Sequence, residues 1–480
     1  MTLPNFASSY ETPGVYWALT NTPQTANGNF FGPRLAIVGP AIGYFSYTGD
    51  NNVQLTGTTP QVLSKQGIVT ASIVVQSLDA VPVVYTAGTD YTVTTTGSGS
   101  ASITSIARNG SGSIGSGAHV AVLYNYADAS YYTPRLVNNM QDVSALYGAS
   151  YNTDTGAIVS PLSLAAEIAF KSGSVDLVLV PVPLTSGVAT AANLLSGLNQ
   201  LAARNDVSLV AVLPVGVTGT NSAHGDVVTV ATNLEAYLAA REAEGLFQVG
   251  IIGYEPSVAN TDATTIGADY IAQQVAYRRV VETWPNQVNY AASGQYNLAL
   301  AGYYVAAAIG GLLGGNAPQD GITRYALPVF PSFPTAVLPM LTEAKKTTLS
   351  AAGVCVIESN RNGTIQVRHG VTTDPSSIYN FEISLVRIQD AMIESLQSAI
   401  ANASIIGSPI TGDSVSALQG LVETILNGLI TSGDISAFQG VTVTQNVTTP
   451  TEIDVVFSYL PIYPLNYITI SFSIDASSSF

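Results

Sequence analysis

Between residues 131 and 339, continuous apolar runs at 175–182, 207–214 and 247–253 alternate with helix-like stretches. Strands alternating with helical patterns predict a mainly parallel sheet layered with helices. Arg34-Leu-Ala-Ile-Val-Gly39, closed by Pro40, has the same character and reads as a buried strand bounded by a breaker. Tyr277, Val280, Val281 and Trp284 fall at i, i+3, i+4 and i+7 and predict a helix ended by Pro285. Residues 298–315 carry no charge over nearly the length of a membrane span, yet contain five glycines and no closely flanking Lys or Arg. They are read as a buried helix followed by a Gly-rich loop, with no membrane insertion.

The rest of the chain breaks from this rhythm. Residues 1–33 hold four prolines, one acid and no basic side chain around Val15-Tyr16-Trp17, which reads as an extended arm. Residues 48–128 are rich in Thr, Ser, Val and Gly, with short apolar runs separated by turn residues, the pattern of a small β sandwich or barrel. Pro328, Pro331, Pro334 and Pro339 form a linker-like segment. Beyond it, Tyr379, Phe381, Ile383 and Leu385 alternate with polar residues and predict a strand, while Ile388, Met392, Leu396 and Ile400 repeat every four and predict a helix. Alternation at 441–443, 453–459 and 467–470 predicts a chain that finishes on strands, whose edges must be covered.

The fold class is thus α/β and α+β multidomain. An extended arm (1–33) leads to a first core strand (34–47), a small all-β unit (48–128) and an α/β core (131–339). A C-terminal α+β domain (340–463) and a strand arm (464–480) follow. The length of 480 residues agrees, at roughly 150 residues per domain.

Fifteen Lys and Arg against 31 Asp and Glu give a net charge of −16, which excludes wrapping a phosphate backbone with clustered cations, so nucleic acid is not a partner. A mean hydropathy of +0.31 excludes a disordered acidic tail. Charged residues are only 10% of the chain, so neighbouring molecules can cover much of its surface at small desolvation cost, a hint of assembly. Cys355 is the sole cysteine, which allows no intramolecular disulfide and fits cytoplasmic synthesis. The first basic residue is Arg34, and no signal-peptide pattern precedes it.

Candidate chemistry is sparse. Gly110, Gly112 and Gly115 have dinucleotide-loop spacing, but a strand-like run from His119 follows where a helix is needed, so a hairpin turn is read there. His119, His224 and His369 are far apart and show no zinc spacing, and His224 near Asp226 lacks an identifiable nucleophile. Cys355 lies in an apolar strand with no adjacent cation and reads as an inert thiol. Carboxylate pairs for glycoside hydrolysis carry no positional signal. No catalytic, cofactor-binding or metal-binding residue is assigned. The basic pairs Lys345-Lys346 and Arg278-Arg279 are read as solvated helix faces or, alternatively, as a docking patch for an acidic partner.

Residues 340–401 resemble the core pattern of contractile tail sheath proteins from bacteriophages and related contractile injection systems. In that pattern a helix precedes a glycine and a short strand, here Gly353 and residues 354–357. A second strand ends in Arg368, Gly370, Thr372 and Thr373, and a strand carrying Arg387 leads into a helix with Asp390. Thr12-Pro-Gly14-Val15-Tyr16 is similar to the family's opening arm, residues 34–39 to its first core strand, and residues 85–126 to a β domain inserted in some sheaths. At 303–307 the chain has Tyr-Tyr-Val-Ala-Ala where related proteins often carry a Trp-x-x-Pro-Ala-Asn-like motif.

The resemblance implies an α/β sheath core with an inserted small all-β domain and extended terminal strand arms. It implies a non-enzymatic subunit of hexameric rings, stacked helically around a tail tube, that contracts to drive the tube through a cell envelope. Its expected partners are copies of itself, the tube protein, and baseplate and tail terminator proteins, and its place is the virion after assembly in the host cytoplasm. Gly14, Val15, Tyr16 and Trp17, with Leu465, Tyr467, Ile468 and Ile470, are then the inter-subunit strands, since an added strand gains its backbone hydrogen bonds from a neighbour's sheet edge. Lys345 and Lys346 become candidates for docking the tube. The alternative from another class is an extracellular carbohydrate-binding adhesin or carbohydrate-active enzyme, favoured by the Ser/Thr/Asn-rich β segment and low charge.

Overall fold

The computed structural model describes residues 34–98, 101–218, 227–258, 268–292, 296–466 and 468–471. The expected N-terminal arm with Gly14, Val15, Tyr16 and Trp17 lies outside the described residues, as do His224 and Tyr467.

β1 (Leu35–Pro40) is buried at every position. The chain then leaves the core and builds two small sheets from β2 (Phe45–Leu55), β3 (Gln61–Gln66), β4 (Val74–Ser77), β5 (Val84–Tyr85), β6 (Tyr91–Thr96), β7 (Ile103–Arg108) and β8 (Ala118–Tyr126). Their orders are β2-β8-β4-β5 and β3-β7-β6. Leu55, Leu63, Val75, Tyr91, Ile106, Val120 and Val122 fill the space between them, a core separate from that of the large sheet. The segment starts and ends together, because Phe45 pairs with Tyr126. The Phe45 ring stands 4.9 Å from Tyr131 at a steep angle, and Tyr131 stands 5.7 Å from Tyr147, so edge-to-face aromatic contacts tie the β segment to the α/β core.

β9 (Arg135–Val137), α1 (Met140–Tyr147), α2 (Pro161–Ser172), β10 (Leu177–Val182), α3 (Ala191–Leu201), β11 (Leu209–Val212), α4 (Val227–Ala243), β12 (Val249–Ile252), α5 (Ala268–Gln274) and β13 (Val280–Trp284) follow in chain order. After the hairpin β14 (Gln287–Ala292) and β15 (Tyr296–Ala301) come α6 (Tyr303–Gly315), α7 (Glu343–Ala351), β16 (Val354–Ser359) and β17 (Ile365–Val367). The large sheet has the order β17-β16-β13-β12-β11-β1-β10-β9. Six central strands run parallel, and the edge strands β9 and β17 are antiparallel. Helices α1, α2 and α6 cover one face, and α3, α4, α5 and α7 cover the other. Covering both faces is why these strands need no polar side. The sheet draws on residues either side of position 340.

Three sequence expectations are corrected here. Residues 280–284 form the buried strand β13, not a helix; a strand covered on both faces tolerates apolar residues at any spacing, and theirs coincided with a helical period. The glycines after residue 303 lie inside α6, not in a loop after it. They let α6 approach α2 closely: a Cβ on Gly311 would stand 2.4 Å from the Ala169 carbonyl oxygen, and one on Gly315 would stand 2.7 Å from that of Gly173. Residues 379–385 form no strand but α8 (Ile378–Phe381) and the start of α9 (Ile383–Asn402), with Ser377 capping the first turn. Arg387 therefore stands on the same helix as Asp390.

α9 packs against α10 (Gly412–Ser432) and the long hairpin of β18 (Ile435–Gln445) and β19 (Ile453–Pro461) around Leu385, Ile388, Met392, Leu396, Leu418, Val422 and Leu426. The hairpin is a two-stranded sheet of its own, and neither outer edge meets another strand among the described residues. Residues 462–466 and 468–471 form no strand. Leu465, Ile468 and Ile470 are 79%, 74% and 81% exposed.

Candidate functional site

The motif residues gather where the sheet meets α9. Gly353 ends α7 with φ +97°, and a Cβ there would stand 2.8 Å from both the Thr372 carbonyl oxygen and the Thr373 Cα. The run 368–373 crosses directly over this turn. Thr373 N–H donates to the Val280 carbonyl at 2.9 Å and its hydroxyl donates to the Tyr277 carbonyl at 3.1 Å, so the run is stitched to β13. Thr372 donates through its hydroxyl to the Asn380 carbonyl at 2.6 Å, and its N–H donates to Phe381 at 2.8 Å. Gly370 sits where a Cβ would strike Ile322 at 2.6 Å. The motif is thus a splice between β13, β16 and α9.

Charge is concentrated beside this splice. Glu358 on β16 receives Lys346 at 2.6 Å and Arg368 at 2.9 Å, and Arg324 at 2.5 Å on its other oxygen. Burial opposes its charge, but the hydrogen bonds from Lys346 and Arg368 hold its carboxyl below the usual range. Lys346 is 6% exposed and also pairs with Glu343, which corrects its reading as a solvated docking cation. Lys345 is half-buried and donates to the Pro339 carbonyl at 3.2 Å.

Arg278 and Arg279 are likewise not on a solvated helix face but buried in the turn before β13. Arg279 pairs with Asp390 of α9 and, at 2.7 Å, with Glu242 of α4, while Arg278 reaches Glu242 at 3.1 Å and Gln389 at 2.7 Å. Burial disfavours the Arg279 charge, but Asp390 and Glu242 outweigh it and keep the guanidinium firmly protonated. Glu394, one turn after Asp390, is pushed up to about 9 by burial and then by the Asp390 charge. Arg387 donates to the Leu313 and Asn316 carbonyls at 2.9 Å each, capping the C-terminal end of α6. Burial lowers its pKa to about 10.

A cleft of about 380 Å³ opens between Thr323, Arg324, Ser350, Arg368, Phe381 and Asn466. Asn466 brings the start of the C-terminal arm to its rim, donating to Glu382 at 2.8 Å. Cys355 is fully buried in β16, which pushes its thiol up to about 12, and His119 is exposed on β8. Among the described residues no three His, Cys, Asp or Glu side chains converge as a metal site, and no helix is long and apolar enough to cross a membrane. Sequence reasoning missed Glu242, Glu394, His369 as a partner of Glu382, and Asn466. Glu242 and Asn466 have partners tens of residues away, and no local pattern announces the burial of Glu394 or the pairing of His369 with Glu382, 13 positions on.

No family model matches the chain. It is 26% identical over 493 aligned residues, covering 98% of this chain and 80% of the relative, to the tail sheath protein of Mycobacterium phage Bxz1. The helical sheath of the anti-feeding prophage in its contracted state matches with a TM-score of 0.55 at 12% identity, over 99% of this chain and all of that one. A chain of the anti-feeding prophage baseplate matches at 0.54 and 16% identity, over 72% of this chain and 89% of that one. The contracted PVC sheath complex of an extracellular contractile injection system matches at 0.52 and 14% identity, over 73% of this chain and 89% of that one. In fold, this chain is of the contractile sheath kind, and in sequence it resembles a phage tail sheath protein nearly end to end.

Proposed function

We propose that this chain is a structural, non-catalytic subunit of a contractile sheath. It polymerises as stacked hexameric rings around a tail tube and contracts to drive the tube through a cell envelope. The observation that carries this reading is the match to a phage tail sheath protein along 98% of the chain. The hairpin β18–β19 supports it, because its strands of 11 and 9 residues have outer edges that meet no other strand among the described residues and can each accept an extended segment from a neighbour. The N-terminal segment with Gly14, Val15, Tyr16 and Trp17, and the C-terminal one with Leu465, Tyr467, Ile468 and Ile470, are the segments that would be donated. Tube, baseplate and tail terminator proteins are the further partners, with assembly in a host cytoplasm before incorporation in a virion. Lys345 is the cation left for tube docking, Lys346 being engaged within its own subunit.

Electron microscopy of the purified chain, beside a variant lacking residues 1–20, tests this. The full chain is expected to form tubes. The shortened chain is expected to unfold as cooperatively as the full one yet to form no long polymers, since each lost inter-subunit hydrogen bond is worth about 1 kcal/mol net. A discrete full-length particle under all conditions overturns the sheath reading; normal tubes from the shortened chain overturn the role of the arm.

A further inference from the structure

The last described residues of the chain do not simply hang from β19. Tyr463 places its hydroxyl 3.1 Å from that of Tyr379 at the start of α8. Pro464 lies against Gly321, where a Cβ would stand 3.1 Å from the proline Cβ. Asn466 then donates from Nδ2 to Glu382 Oε1 at 2.8 Å, and His369 Nε2 stands 2.5 Å from the same oxygen and 3.2 Å from Nδ2. Glu382 is buried and held in place, because its N–H donates to the Ile378 carbonyl and it bridges to Val371. Three contacts within four residues, on three separate segments of the fold, fix the path of the chain. Immediately beside them Leu465, Ile468 and Ile470 are left bare.

We infer that Tyr463, Pro464 and Asn466, seated on Tyr379, Gly321 and the His369–Glu382 pair, form an anchor that sets the point and direction from which the C-terminal arm leaves its subunit toward a second copy of the chain. This rests on the reading of residues 464–480 as an inter-subunit arm. The physical reason is preorganisation: an arm held at its root searches a smaller volume, so its effective concentration at the neighbour's sheet edge is higher and less ordering entropy is lost on pairing. Asn466 is a positioning residue here, and the pairing itself is made by the apolar residues beyond it.

Three variants test the anchor through the critical concentration for polymerisation, read by sedimentation. Asn466→Ala is expected to raise that concentration about tenfold, the order expected when a tether loses its preorganisation, and to leave the thermal unfolding of the unassembled subunit unchanged. Adding Gly321→Cys and Pro464→Cys to Asn466→Ala re-pins the root covalently, since their Cβ positions lie near disulfide range. Oxidation is expected to restore the wild-type critical concentration and reduction to remove the rescue. Deletion of residues 464–480 is expected to abolish long polymers. If the deletion still polymerises like the full chain, the arm reading fails. If the deletion abolishes polymers while Asn466→Ala assembles at the wild-type concentration, or the disulfide gives no rescue, the anchor is overturned and the arm reading stands.

Discussion

Arg279 and Asp390, 111 positions apart, form an ion pair buried between the strand layer and the first long helix of the C-terminal module. Removing Asp390 takes one of two carboxylates from a fully buried guanidinium and leaves it Glu242, which Arg278 shares. Asp390→Ala is therefore expected to destabilise the subunit by about 2–3 kcal/mol, less than a wholly unpaired buried charge would cost, read as a lower urea midpoint. Pairing it with Arg279→Met is expected to recover most of that loss, and a double variant no better than the single one would contradict the assignment.

The Glu394 carboxyl is raised from its ordinary 4.5 to about 9. An unfolded chain releases this proton near 4.5, whereas the folded chain keeps it up to about 9, so between these values the folded state binds more protons. Its contribution is fully present below 4.5 and declines as pH rises toward 9. Glu394→Gln is expected to flatten that decline in melting temperatures taken from pH 5 to 9. Parallel curves for the two proteins would show that Glu394 is not the group responsible.

Gly353 and Gly363 separate two effects of a left-handed backbone. Both have positive φ, +97° and +85°, but an added Cβ at Gly353 meets Thr372 and Thr373 whereas one at Gly363 meets nothing within 4 Å. Gly363→Ala is expected to lose roughly 1 kcal/mol from strain alone. Gly353→Ala is expected to lose clearly more, because the motif run must shift. Equal losses in chemical denaturation would mean that the crossing at Thr372 and Thr373 is loose.

The two ends of the small β sheets lie side by side at Phe45 and Tyr126. Replacing residues 48–128 by a short Gly/Ser linker is expected to leave a cooperatively folding core, with rings that still stack in electron micrographs. A shortened chain that folds but does not stack would make this segment an interface.

What could be read from residues alone followed how local the signal was. β1, β10, β11 and β12 stood out because continuous apolar runs bounded by breakers have one physical meaning in a helix-covered sheet. The same continuity hid β13, whose Val280, Val281 and Trp284 mimic a helical stripe. Residues 379–385 misled in the opposite sense, because two helices meeting at Glu382 produce a short alternation by accident of phase. The motif residues Gly353, Thr372 and Thr373 were visible by resemblance, but their stitching to β13 was not. Arg278 and Arg279 looked like surface charges because Glu242, Gln389 and Asp390 lie between 36 and 111 positions away.

The edge-to-face contacts of Phe45, Tyr131 and Tyr147 carry a mechanical meaning. A module on a loose tether would wobble independently of the body that bears it, and its density would blur in any averaged image. One pinned by interlocked rings at its root behaves as a rigid lever. Any turn of the core is then passed to the small sheets, so the far strands travel through an arc that lengthens with their distance from Phe45.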